Sequence, residues 1–141
     1  PSVKFDKPIY LGAAILDYSK LLMYKFYYEK INKLWPYRNE IIGYDTDSFF
    51  LNIQTDDIYK DLLQIHDDLD CSAYPKDHFL FNSRNKKVIG KFKDELESNI
   101  MSEIVFLRSK CYAFKVNNEE IKKLKGIGKT TIVKKHKIPE L

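Results

Sequence analysis

The sequence predicts an α+β fold: an antiparallel sheet with a carboxylate-bearing β-hairpin packed on a long helix. Three observations carry that reading. Residues 9–34 place apolar side chains at helical spacing and end before a proline, Pro36. Residues 40–53, EIIGYDTDSFFLNI, hold two β-branched and aromatic runs around an Asp/Ser-rich bend, which is a hairpin signal. Further short apolar runs follow between residues 87 and 127, and a long helix with antiparallel strands belongs to the α+β class.

Taken in order, residues 1–8 (PSVKFDKP) read as an extended entry, with Pro8 suited to the first position of a helix. Within the helix that follows, Leu11, Ile15, Leu22 and Phe26 lie near one face, widened by Ala14, Tyr18, Leu21 and Ile31. The hairpin strands are expected at about 40–44 and 48–54. Thr55-Asp56-Asp57 supplies an N-cap for a short helix to about His66, with Ile58, Leu62 and Ile65 turned inward. Residues 67–86 are rich in turn formers and read as a surface insertion. Lys87–Glu95, Glu103–Leu107, Lys110–Val116 and residues 121–127 read as strands, and Lys129–Lys137 as a basic amphipathic helix.

With 141 residues, 44% of them hydrophobic, the chain has the length of one domain and enough apolar content for a core. The net charge of +4 is mildly basic, and the lysines gather after residue 118, which is either a phosphate-binding surface or a solvated charged face. Cys71 and Cys111 have no metal-site partners at suitable spacing, so reduced thiols in an intracellular, soluble protein are expected. The compartment stays open between nucleus, cytoplasm, mitochondrion and viral factory. No run of 18 apolar residues or signal peptide is visible, so no membrane partner is expected. The first residue is Pro rather than Met, which points to a piece of something longer.

The chemistry concentrates at the bend. Asp45 and Asp47 are one residue apart, so on an extended backbone they project the same way and each raises the other's pKa. Such a pair calls for a cation, and hard carboxylate oxygens suit Mg²⁺ or Mn²⁺. The plain alternative is an ordinary turn, since Asp side chains bond neighbouring backbone groups. An EF-hand calcium loop is a poor fit, because the position that needs Gly is Phe50.

The longer string GYDTDSFF resembles the third conserved motif of family B DNA polymerases, written YxDTDS. The motif's Tyr stands two residues before the first Asp; here that place is Gly43, and the aromatic comes one position late, at Tyr44. KPIYLGAAILDYSKLLMYKFYYEKI resembles the helix leading into that hairpin in protein-primed members, found in viruses, linear plasmids and large DNA transposons. DLDCSAYP, KKVIGKFKDEL and FLRSKCYAF follow in the order of that subgroup, and Lys110-Cys111-Tyr112 is similar to its Lys-x-Tyr motif. KKLKGIGK, from Lys122 to Lys129, resembles the passage from palm into thumb.

The resemblance implies that residues 1–117 are the C-terminal part of a polymerase palm and 118–141 the palm-to-thumb transition. The implied reaction is nucleotidyl transfer from a dNTP to a primer 3′-hydroxyl with two Mg²⁺ (or Mn²⁺) ions. Primer–template DNA and dNTP are the implied partners, with a terminal priming protein in the protein-primed subgroup. Asp47 is implied as the direct metal ligand, Asp45 as a secondary one, and Thr46 and Ser48 as turn-fixing residues. Glu95 supplies a further carboxylate, with Asp94 its competitor. Lys110 and Tyr112 would contact the primer, while Arg108, Lys122, Lys123, Lys125, Lys129, Lys134 and Lys135 would bind phosphates. The family's first palm motif and its fingers helix are not in this sequence, so activity is expected only from a longer chain that carries them. Two other readings remain: a non-catalytic nucleic-acid-binding remnant of such a polymerase, and a structural domain whose DTDS is only a turn.

Overall fold

The computed structural model of the chain describes residues 8–125. The expected helix at Lys129–Lys137, and with it Lys129, Lys134 and Lys135, lies outside the described residues.

Helix α1 (Ile9–Phe26) starts directly after Pro8, whose carbonyl accepts from the Leu11 N–H at 3.0 Å. It runs into a π-helical turn (Tyr27–Ile31) and a last short turn, α2 (Asn32–Leu34). A π turn takes about five residues, so Phe26 and Ile31 stack on one face and both reach the core. Pro36 blocks continuation. The plug at this end is Trp35, buried, whose indole N–H donates to Asp61 Oδ2 at 2.8 Å.

Two antiparallel sheets follow. The first pairs β1 (Asn39–Asp45) with β2 (Ser48–Ile53), and a bulge at Ile42 sets Gly43 opposite Phe50 and Asp45 opposite Ser48. The second has the order β3 (Met101–Arg108), β4 (Cys111–Val116), β5 (Glu119–Leu124). Asn117 and Asn118 join β4 to β5 with both residues at positive φ, the geometry of a type I′ turn that Asn tolerates. Between the sheets, Asp57 caps α3 (Ile58–Leu62) by accepting from the Tyr59 and Lys60 N–H groups. A 3₁₀ segment continues it through Asp68.

The first hairpin lies between two apolar layers. One of its faces, with Leu51 and Ile53, packs on the main core of Ile31, Trp35, Ile65, Leu69, Cys71, Tyr74 and Leu80. The other presents Phe50 to the second sheet, where its ring centroid lies 4.8 Å from Tyr112, 5.4 Å from Phe106 and 6.2 Å from Phe114. Alternation along a strand makes this two-sided contact possible.

Two sequence expectations are corrected. Residues 67–86 are not a surface insertion: Leu69, Cys71, Tyr74, Leu80 and Asn85 are buried, and four of them form the middle of the core. The segment manages this without regular structure because side chains satisfy its backbone. The Asn85 amide donates to the Asp67 and Leu69 carbonyls, and Asp70 accepts from the Ser72 and Lys87 N–H groups. Residues 87–95 are not a strand either; they run through turns, and Phe92 alone makes a single parallel bridge to Leu69. What Phe92 contributes is a stacked ring against Phe26, 3.9 Å between centroids.

Most of α1 finds no cover among the described residues. Ile9, Leu11, Ile15, Leu16, Leu21 and Leu22 are all exposed, and Met23 is the one buried residue of this helix. The predicted apolar face exists, but among the described residues only its C-terminal end meets a partner.

Candidate functional site

The site is built where two hairpin turns meet. The β1–β2 turn is as tight as a chain permits: the Asp47 N–H donates to the Asp45 carbonyl at 2.8 Å, and the Ser48 hydroxyl donates to the same oxygen at 3.2 Å. Closing it forces Thr46 to a φ of 62°. For a β-branched residue the left-handed region is strained, at a cost on the order of 1–3 kcal/mol. The β3–β4 turn is Ser109-Lys110, with Lys110 at a φ of 60°. The Lys110 carbonyl accepts from the Lys125 N–H at 2.9 Å, which anchors the far side of that turn.

A single hydrogen bond joins the two turns. The Ser109 hydroxyl donates to Asp45 Oδ1 at 2.5 Å, across 64 residues of sequence. Gly43 makes the approach possible. A Cβ there would lie 2.5 Å from the Phe106 ring, so only glycine lets β1 close on β3. The Phe106 ring thus occupies the space beside Gly43, and Tyr44, next along the strand, is exposed.

This geometry corrects the paired-carboxylate expectation. Thr46, at positive φ, breaks the extended backbone that would have aimed Asp45 and Asp47 together. Asp45 is half-buried and turned inward, whereas Asp47 is exposed. The Asp45 carboxyl is held below the usual carboxylate range, not above it. The Ser109 hydroxyl is the main cause, and Tyr112, Lys110 and Thr46 add to it against an opposing effect of burial.

Tyr112 is buried at 5% exposure, its ring stacked on Phe106 with an interplanar angle of 12°. Lys110 sits in the exposed turn, so the two do not share an open strand face. What Tyr112 offers the site is its hydroxyl edge, toward Asp45 and Lys123. Lys123 pairs with Tyr112 across the β4–β5 ladder, its ammonium 5.6 Å from the ring centroid. Its pKa is raised, first by the hydrogen bond to Tyr112 and further by the charges of Asp45 and Glu95.

The remaining predicted residues are spread more widely. Glu95 is exposed and lies 4.0 Å from Lys93, with its charge reaching Lys123. Its competitor Asp94 is taken up structurally, accepting from the Tyr74 hydroxyl and the Leu96 and Ser98 N–H groups. Arg108 ends β3 at the surface, and Lys125 is exposed beside the Lys110 turn. Lys122 faces the opposite side of β5 from Lys123 and pairs with Glu120 at 2.5 Å. Ser109 was not among the sequence candidates; a serine in a two-residue turn carries no signal of a partner 64 residues away.

The donor types suit a divalent cation, since Asp45 and Asp47 bring hard oxygens to one turn. Their number falls short: among the described residues no group of three or more His, Cys, Asp or Glu is arranged to hold a metal ion. Among them, too, no helix is long and apolar enough to cross a membrane. Comparison with protein-family models, with curated proteins and with solved structures found no match to this chain.

Proposed function

We propose that the chain is the C-terminal part of a family B DNA polymerase palm, of the protein-primed type, and takes part in adding dNTPs to a primer 3′-hydroxyl. One observation carries the reading. The Asp45-Thr46-Asp47-Ser48 turn and the Lys110-Cys111-Tyr112 stretch each resemble a polymerase motif on their own, and they lie side by side, linked through Ser109 and Asp45. An ordinary hairpin turn gives no reason for that meeting. Thr46 supports it further: it is the one β-branched residue at positive φ among the described residues, and strained backbone of this kind clusters at functional sites.

In this reading Asp47, open to solvent, would be the direct ligand of Mg²⁺, and Asp45 a secondary one. The carboxylate of the family's first palm motif, which is not in this sequence, would complete the set. Bound there, the ion would neutralise charge building on the triphosphate. Lys110 meets the primer-terminal phosphate as a point charge. Tyr112, its ring buried and stacked on Phe106, would support the site from beneath rather than packing on a primer sugar. Arg108 and Lys125 flank the turn for sequence-independent phosphate contacts. The exposed face of α1 is where the rest of the palm would pack.

A second reading, a DNA-binding remnant without catalysis, draws on the engagement of Asp45 by protein donors and the pairing of Glu95 with Lys93. Primer extension by the intact polypeptide that carries this chain separates the two. With Mg²⁺ and primer–template, wild type should extend, and Asp47→Ala should lose about a thousandfold in rate while binding DNA as before. An inert wild type that still binds DNA would move the assignment to the remnant. Equal extension by both proteins would reduce the DTDS turn to a turn.

A further inference from the structure

We infer that Ser109 is a positioning residue of this site: its hydroxyl fixes the Asp45 carboxylate and thereby sets the carboxylate turn against the Lys110 turn. Its role in nucleotide addition rests on the polymerase reading; its role as a clamp does not. Three observations support the assignment. The bond is at the short end for O–H···O⁻, and it is a side-chain hydrogen bond that spans from β1 to the β3–β4 turn. It falls on Oδ1, the oxygen that Thr46 also approaches at 3.4 Å, so both turn hydroxyls bear on one carboxylate oxygen. The donor is itself held, since the next residue, Lys110, is anchored through its carbonyl to the Lys125 N–H.

The chemistry explains why a hydroxyl belongs there. A lone carboxylate at a strand end swings about its χ angles, and any ligand it met would inherit that freedom. A neutral donor fixes one oxygen without cancelling the charge, as an ammonium would. It also transmits position: a shift of the Ser109-Lys110 turn moves Asp45 and Lys110 together. Supporting groups of this kind, when removed, typically cost about 10–100-fold in metal affinity or activity.

Two variants of the intact polypeptide test it, Ser109→Ala and Ser109→Thr. The first readout is amide hydrogen exchange at Asp47, whose N–H closes the tight turn. Ser109→Ala should speed exchange there about tenfold, with core amides unchanged, and Ser109→Thr, which restores the hydroxyl, should return it to the wild-type rate. Unchanged exchange in Ser109→Ala would overturn the clamp, whatever the activity. Faster exchange that Thr does not rescue would also overturn it, by showing that shape rather than the hydroxyl matters. The second readout is primer extension, where Ser109→Ala should lower kcat about 10–100-fold with KM for dNTP little changed and Thr restoring it. If wild type itself does not extend, the polymerase reading falls, and exchange still decides whether Ser109 clamps the turns.

Discussion

At the scale of single residues, Gly43 and Thr46 show how closely the site is built. Replacing Gly43 with Ala puts a methyl 2.5 Å from Phe106, a ring already held by Phe50 and Tyr112. Gly43→Ala should cost about 1–3 kcal/mol in urea unfolding, and much of the loss should return when Phe106→Leu is added. Thr46→Gly should do the reverse and raise stability by about 1 kcal/mol, because glycine occupies positive φ without strain. If the strain serves catalysis, that variant will be more stable and less active. Asp70 gives a pH prediction. The Lys87 N–H, and after it Ser72, holds its carboxyl below the ordinary value of 3.8. A depressed folded pKa means the stabilisation is complete above the ordinary value and is lost as the pH falls through the folded one. Asp70→Asn should therefore cost about 1–3 kcal/mol at pH 7, and its gap from wild type should close progressively below about pH 4.

At the scale of elements, the first hairpin joins the two halves of the molecule, and Phe50 is its aromatic contact with the second sheet. Phe50→Ala should cost about 3 kcal/mol, the low end for such a truncation because the ring is half-buried, and thermal unfolding would read it. This hairpin was legible in the sequence, with both strands and the bend, because two β-branched and aromatic runs flank a cluster of turn formers. The strands of the second sheet were legible for the same reason. Residues 67–86 were not. Their apolar members, Leu69, Cys71, Tyr74 and Leu80, follow neither a period of two nor one of 3.6. Turn-rich composition normally means surface, and here Asn85 and Asp70 satisfy the backbone that makes a buried irregular segment possible. The strand expected at 87–95 failed on the opposite ground: Val88 and Ile89 look like strand residues but stay exposed. The turn bearing Asp45 and Asp47 was visible; their divergence was not, because nothing local announces a left-handed threonine.

At the scale of the whole molecule, the dominant feature is the side of α1 that none of the described residues covers. A row of exposed leucines and isoleucines of this length is beyond the scattered apolar residues that any surface carries. Exchanging Ile15 and Leu22 for Gln should lower both dye binding and concentration-dependent association, while the melting temperature stays nearly constant. A fall in melting temperature would mean that these side chains already have cover.

The two cysteines, finally, make the protein its own stopwatch. Cys71 is wholly enclosed in the main core and Cys111 is buried in the second sheet, both as free thiols. Burial pushes the Cys71 thiol up, which slows it further as a nucleophile. A thiol reagent added to the native protein can reach each sulfur only after its own half has opened. Labelling rates of Cys71→Ser and Cys111→Ser variants would then time the two halves separately. Equal rates would mean that the hairpin between them makes both halves open as one.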